Sequence, residues 1–182
     1  MRTFFAIELD NSTRRLLQGI QDKLREEGVT GNYSFTENLH LTVKFLGEVN
    51  TQQLTQAREL LQKVAEKQKP FVLSLHSLGK FSKGNKLILW AGLKKENLLF
   101  SLNREVEQGL KAFLPGIEEK GYSPHITLVR EAVSTRPFEK LNVLKDERGY
   151  SFCAQGLSLM ESTRVEGRLA YIRQAFVPFA AE

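Results

Sequence analysis

Cysteine and tryptophan each occur once in 182 residues, and histidine three times. The lone Cys153 cannot close an internal disulfide or form a metal-type cysteine pair, so a reducing compartment is expected. Cys153 itself reads as a small buried hydrophobe. No apolar run approaches the roughly 20 residues that a membrane-spanning helix needs. The first residues turn acidic at Glu8, too early for a secretory leader. The expected location is therefore cytoplasmic, with no membrane partner. Glycine-rich Rossmann and P-loop signatures are absent, as is any low-complexity segment, and no cofactor is expected.

What is present suits one sizeable core. Apolar residues make up 41% and charged residues 26%, which favours a single domain over 1–182, or two tightly joined lobes, over two free-standing domains. Lys plus Arg exceeds Asp plus Glu by 26 to 21, a net charge of +5 that favours polyanionic partners. A β-like run at 3–9 precedes an amphipathic segment with Leu16, Leu17, Ile20 and Leu24 on one face; Asp10, Asn11 and Ser12 offer N-caps, and Gly28 is a natural stop. Further helices are predicted near 51–67 and 96–113, and strands near 35–46, 71–78, 86–92 and 125–130. Residues 79–85 read as a turn-rich basic connection, and 134–149 as a polar stretch with room for a short helix. Three β-like runs follow near Tyr150, Leu157 and Tyr171. This alternation predicts an α+β fold of mostly antiparallel sheets.

The most informative feature is a tetrapeptide that occurs twice, His40-Leu41-Thr42-Val43 and His125-Ile126-Thr127-Leu128. Composition alone produces two such matches in a chain with three histidines roughly once in a few thousand sequences. Period-two geometry places His40, Thr42 and Lys44 on one face of a strand and Leu41, Val43 and Phe45 on the other; His125 and Thr127 likewise oppose Ile126 and Leu128. Each strand then buries an apolar face and turns an imidazole and a hydroxyl away from it, and two such strands side by side make a polar groove. Two imidazoles in opposite protonation states can act as general base and general acid. Opening a cyclic phosphodiester with water needs that pair, and the threonine hydroxyls suit the non-bridging oxygens. No metal is required. A three-histidine zinc site is disfavoured because no paired ligand spacing is present.

At these residues the chain resembles the two-histidine phosphoesterase superfamily, specifically the RNA 2′,3′-cyclic phosphodiesterases also called 2′-5′ RNA ligases. The resemblance extends through Phe4-Phe5-Ala6-Ile7, Glu37 to Glu48, Leu89-Trp90-Ala91-Gly92 and Pro124 to Arg130. It implies a bilobal, pseudo-two-fold fold whose sheets line a central cleft with helices packed outside. It also implies hydrolysis of 2′,3′-cyclic phosphate termini to 2′-phosphates, with His40 as proton donor and His125 as proton acceptor. Thr42 and Thr127 would bind phosphate. The implied substrates are RNA ends or cyclic nucleotides, handled by a monomer without an obligate protein partner. Joining of RNA ends in the same cleft, or RNA-end binding without turnover, are the alternatives.

Around the motifs, Arg130 matches the family's arginine, yet strict alternation puts it on the face opposite His125, so a bulge must turn it if it acts. Lys44 is the alternative cation at the phosphate. Phe35 and Tyr122 are candidate stacking residues, with packing as the ordinary role for such aromatics. A structural role is expected for His76, and a solvated hairpin for the basic stretch from Lys80 to Lys86.

Overall fold

A computed structural model describes residues 1–181. Residues Arg2–Glu8 form β1, Asn11–Glu26 α1, Val29–Tyr33 β2, His40–Glu48 β3 and Thr51–Ala65 α2. They are followed by β4 (Phe71–Lys83), β5 (Lys86–Leu93), α3 (Asn97–Lys111), β6 (His125–Ser134), β7 (Ser151–Ala154), β8 (Gly156–Val165) and β9 (Arg168–Pro178). Local signals set most boundaries. The Asp10 side chain accepts from Thr13 N at 2.7 Å to open α1, and Gly28, at φ +84°, follows its end. Asn50 and Gln53 form a reciprocal capping box at α2.

The strands make two antiparallel sheets, in the orders β3-β1-β8-β9 and β2-β6-β5-β4-β7. Each sheet mixes early and late strands: β2 crosses into the second sheet, and β8 and β9 return to complete the first. The α+β architecture expected from the sequence is thus observed. Helix α1 packs by β2 and β6, α2 against α3, β8 and β9, and α3 against β3. One continuous apolar core joins both sheets and all three helices, from Phe5 and Leu41 to Leu75, Leu89 and Ile126. Phe4, Ala6 and Met160 form a small second cluster on the other face of the first sheet, with Tyr171 against it.

Three expectations are corrected. Strand β2 is an additional element, hidden in the sequence by its polar, mostly exposed residues and by Gly31. The basic connection at 79–85 is mostly strand, because β4 runs to Lys83 and only Gly84-Asn85 turn, with Gly84 at φ +62°. Cys153 is exposed, not buried; β7 is a short strand that alternates, and Cys153 points outward beside its partner Val72, which is 57% exposed.

Candidate active site

Strands β3 and β6 begin at the two motif histidines and carry the same irregularity. In β3 the pairing passes from Thr42↔Ala6 to Lys44↔Phe5, leaving Val43 as an extra residue. In β6 it passes from Thr127↔Trp90 to Val129↔Leu89, leaving Leu128 extra. A bulge of this kind inverts the alternation beyond it. His40 and Thr42, then His125 and Thr127, keep their predicted face, whereas the next residues exchange sides.

The inversion decides Lys44 and Arg130. Lys44 is 9% exposed on the core side, where its ammonium pairs with the Glu107 carboxylate and donates to Glu118 O at 2.8 Å. It neither lines the cavity that holds the motif histidines nor stands as a solvated lysine, and Phe45, 54% exposed, takes its place on the cleft side. Arg130 swings the opposite way, onto the face of His125 and Thr127. A further irregularity sharpens that turn: Glu131 sits at φ +49° and Gly31, opposite it, at φ +151°. A Cβ on Gly31 would lie 2.8 Å from Arg130 O, so the bulge needs glycine there.

The carbonyls of the two extra residues accept from buried amide side chains, Leu128 O from Ser34 N as well. Asn103 of α3 donates to Val43 O at 2.8 Å, and Gln21 of α1 donates to Leu128 O at 3.0 Å. The motif threonines receive matching backbone support, Tyr122 hydroxyl to Thr42 O and Ser34 hydroxyl to Thr127 O, both at 2.9 Å. Tyr122 is therefore a packing and positioning residue: its ring lies edge-on to Phe100, and burial pushes its hydroxyl pKa up. Phe35 is 42% exposed in a cavity that continues from the motif cleft past His40.

Both imidazoles are held alike. Nδ1 of His40 lies 2.7 Å from Asn38 O, and Nδ1 of His125 2.7 Å from Ser123 O. A carbonyl at Nδ1 calls for the proton there, which leaves Nε2 unprotonated in the neutral ring. Nε2 of His40 lies 2.9 Å from Thr42 Oγ1. Each ring has aromatic walls: Phe4 and Tyr171 at 4.9 and 4.8 Å between centroids for His40, Phe81 and Trp90 at 5.0 and 5.7 Å for His125. Gly79 makes the second wall possible, since a Cβ there would fall 2.1 Å from the Trp90 ring. Burial pushes the His40 pKa down to about 4, against the hydrogen bond to Asn38 O, with the Arg130 and His125 charges acting the same way as burial. Burial also lowers the pKa of His125, again with Arg130 contributing.

His40, Thr42, His125, Thr127 and Arg130 all line one cavity of about 420 Å³ between the two sheets. His76 lies exposed on β4, outside it. Tyr171, Phe81 and Phe45 are site residues that sequence reading missed; their places depend on cross-strand register and on a bulge, which leave no local mark. Two half-sites of imidazole, hydroxyl and aromatic wall thus face one space, whose wall also carries the guanidinium groups of Arg130 and Arg2. Among the described residues, no cluster of three His, Cys, Asp or Glu side chains is placed to hold a metal ion. The arrangement is equipped for paired proton transfer at a bound anion.

Known proteins share much of this sequence and fold. Residues 7–90, which include the first motif, match the family described as LigT like Phosphoesterase. A protein of Archaeoglobus fulgidus named RNA 2′,3′-cyclic phosphodiesterase is 35% identical over 71% of this chain and 72% of its own length. One of the same name from Thermotoga maritima is 31% identical over 78% of this chain and 75% of its own. Among solved structures, one from Thermus thermophilus superposes with a TM-score of 0.82 at 26% identity, covering all of both chains. E. coli LigT in apo form gives 0.79 at 25% identity, over 99% of this chain and 98% of that one. The shared sequence, the shared fold and the doubled half-site lead to one conclusion: the chain belongs to the LigT-like phosphoesterase family of enzymes.

Proposed function

We propose that the protein opens 2′,3′-cyclic phosphates at RNA ends to 2′-phosphates, with His125 as proton acceptor and His40 as proton donor. The observation that carries this reading is the pair of imidazoles in one cavity, each fixed through Nδ1, with Nε2 of His40 against the Thr42 hydroxyl and Nε2 of His125 without a hydrogen-bond partner among the described residues. The names of the Archaeoglobus and Thermotoga relatives supply the substrate class.

In the reaction, water attacks phosphorus while Nε2 of His125 takes its proton. The bond from phosphorus to the ribose 3′-oxygen breaks, and the Nε2–H of protonated His40 delivers a proton to that oxygen. Thr42 and Thr127 donate to the non-bridging oxygens, and Arg130 offsets the growing negative charge. In the free protein burial keeps His40 neutral, so the anionic substrate must raise its pKa on binding. Assignment of donor and acceptor follows the family resemblance.

The test is to incubate the protein with cyclic-phosphate-ended RNA in chelator and identify the product. Hydrolysis to a 2′-phosphate is expected, because the imidazoles supply both proton transfers. A 3′-phosphate product, or no turnover, refutes the reading; a 5′-hydroxyl oligonucleotide added in a parallel arm reads joining of ends.

A further inference from the structure

We infer that the cavity beside His40 holds the RNA strand upstream of the reacting nucleotide, gripping it by its phosphates through Arg164 and Arg168. The inference rests on the proposed function and adds to it a preference for chains over single nucleotides.

This second cavity, of about 600 Å³, shares His40, Thr127, Arg130 and Tyr171 with the reacting one and extends beyond them along Phe35 to the end of the β8-β9 hairpin. Its wall includes three arginines, Arg130, Arg164 and Arg168, and no carboxylate among the described residues. Arg168 makes no ion pair among the described residues, and its guanidinium stands 5.5 Å from the centroid of the Phe35 ring. Arg164 donates to Gly167 O at 2.8 Å. The two arginines therefore flank one tight turn, in which Glu166 and Gly167 have φ +49° and +79°, the conformation of a type I′ hairpin. The turn is anchored to the motif itself: Asn38, whose carbonyl meets His40 Nδ1, donates through Nδ2 to Leu169 O at 2.9 Å.

The opposite flank, beyond His125, differs in kind. Its cavity of about 400 Å³ is lined by Phe45, Phe81 and Tyr122, and it includes Glu118. Lys44, at its edge, is already paired with Glu107. The local half-sites are alike, but of the two flanking cavities only the one beside His40 has cations without carboxylate partners among the described residues.

Reaction chemistry orients the strand. The 3′-oxygen that leaves phosphorus stays on the terminal ribose, so with His40 as donor the ribose lies on the His40 side. Everything 5′ to it, beginning with the next phosphodiester, continues into the arginine-walled cavity. Guanidinium groups suit phosphate oxygens by geometry as well as charge, and the partly exposed ring of Phe35 suits a base.

The experiment compares kcat/KM for a 2′,3′-cyclic mononucleotide and for a trinucleotide ending in the same cyclic phosphate, over a range of KCl. For the unaltered protein the trinucleotide is expected to be favoured by about tenfold at low salt, with the preference eroding as salt rises. In the double variant Arg164→Gln/Arg168→Gln, kcat/KM on the trinucleotide should fall toward the mononucleotide value and its salt slope should flatten, by about one for each phosphate no longer neutralised. The mononucleotide value should change by less than about twofold, which also shows that the variant is folded. Equal losses on both substrates, or an undiminished trinucleotide preference, overturn the inference. Failure of the unaltered protein to open either substrate overturns the proposed function and this inference with it.

Discussion

His40 and His125 occupy nearly equivalent frames, yet the two rings differ in their local setting. The hydroxyl of Thr42 lies against Nε2 of His40, whereas Nε2 of His125 has no such partner among the described residues. Alanine at either histidine removes a proton-transfer group and is expected to lower kcat by about 100-fold or more, checked with a cyclic-phosphate substrate under saturation. Both pKa values are lowered by burial, so above pH 6.5 the free protein is mostly in the doubly neutral form. Turnover requires one protonated ring, so kcat/KM should peak below about pH 6.5 and fall on the alkaline side. The alkaline limb of kcat should lie higher, because bound phosphate raises the imidazole pKa. Coincident limbs in the two profiles would contradict this. The same depression has a sign for stability: the unfolded chain takes up the proton more readily than the folded one, so stability is complete above about pH 6.5 and falls as pH drops toward 4. A shift to about 4 corresponds to a loss on the order of 3 kcal/mol for His40. Urea titrations at pH 7 and pH 4 should show a smaller pH effect in His40→Gln than in the unaltered protein.

At the scale of single elements, the two bulges determine which side chains reach the cleft. Without the extra residue Val43, Lys44 would stand beside Thr42 and Phe45 would be buried; without Leu128, Arg130 would be turned from His125. A buried amide donates to the carbonyl of each bulge residue, Asn103 at Val43 and Gln21 at Leu128, where Ser34 N donates as well. Asn103→Leu leaves the Val43 carbonyl without that partner and should cost about 1–3 kcal/mol in denaturant unfolding. Its kcat should fall as well, since Thr42 loses its fixed position. Lys44→Met provides the contrast. It leaves Glu107 partly buried without its cation and should lower the denaturant midpoint clearly, while kcat changes little because Lys44 faces away from the cavity.

The whole molecule is bilobal in appearance but interlaced in topology. Each sheet takes strands from both ends of the chain, and a single apolar core runs through both. A shared core of this kind unfolds as one unit. Trp90, the only tryptophan, lies 5.7 Å from His125 and reports on the second sheet, whereas activity needs both. In urea, fluorescence and activity are therefore expected to be lost at one midpoint. Activity disappearing well before the fluorescence change would mean that the sheets separate first.

The pattern of residues along the chain carried the helices, most strands and the identity of the four motif side chains. These follow from periods of 3.6 and 2.0 and from a tetrapeptide that chance seldom repeats. The strand β2 and the long β4 escaped it, because cross-strand pairing stabilises a polar segment that has no apolar alternation of its own, and the exposure of Cys153 escaped it because the alternation of β7 spans only four residues. The sides taken by Lys44 and Arg130 escaped it too. A bulge is a mismatch between two strands, and alternation counted along one of them contains no information about its partner's spacing. The aromatic walls and the depressed histidine pKa values belong to the same class: each arises where distant segments meet and exclude water, a property that exists only once the sheets have closed around the cleft.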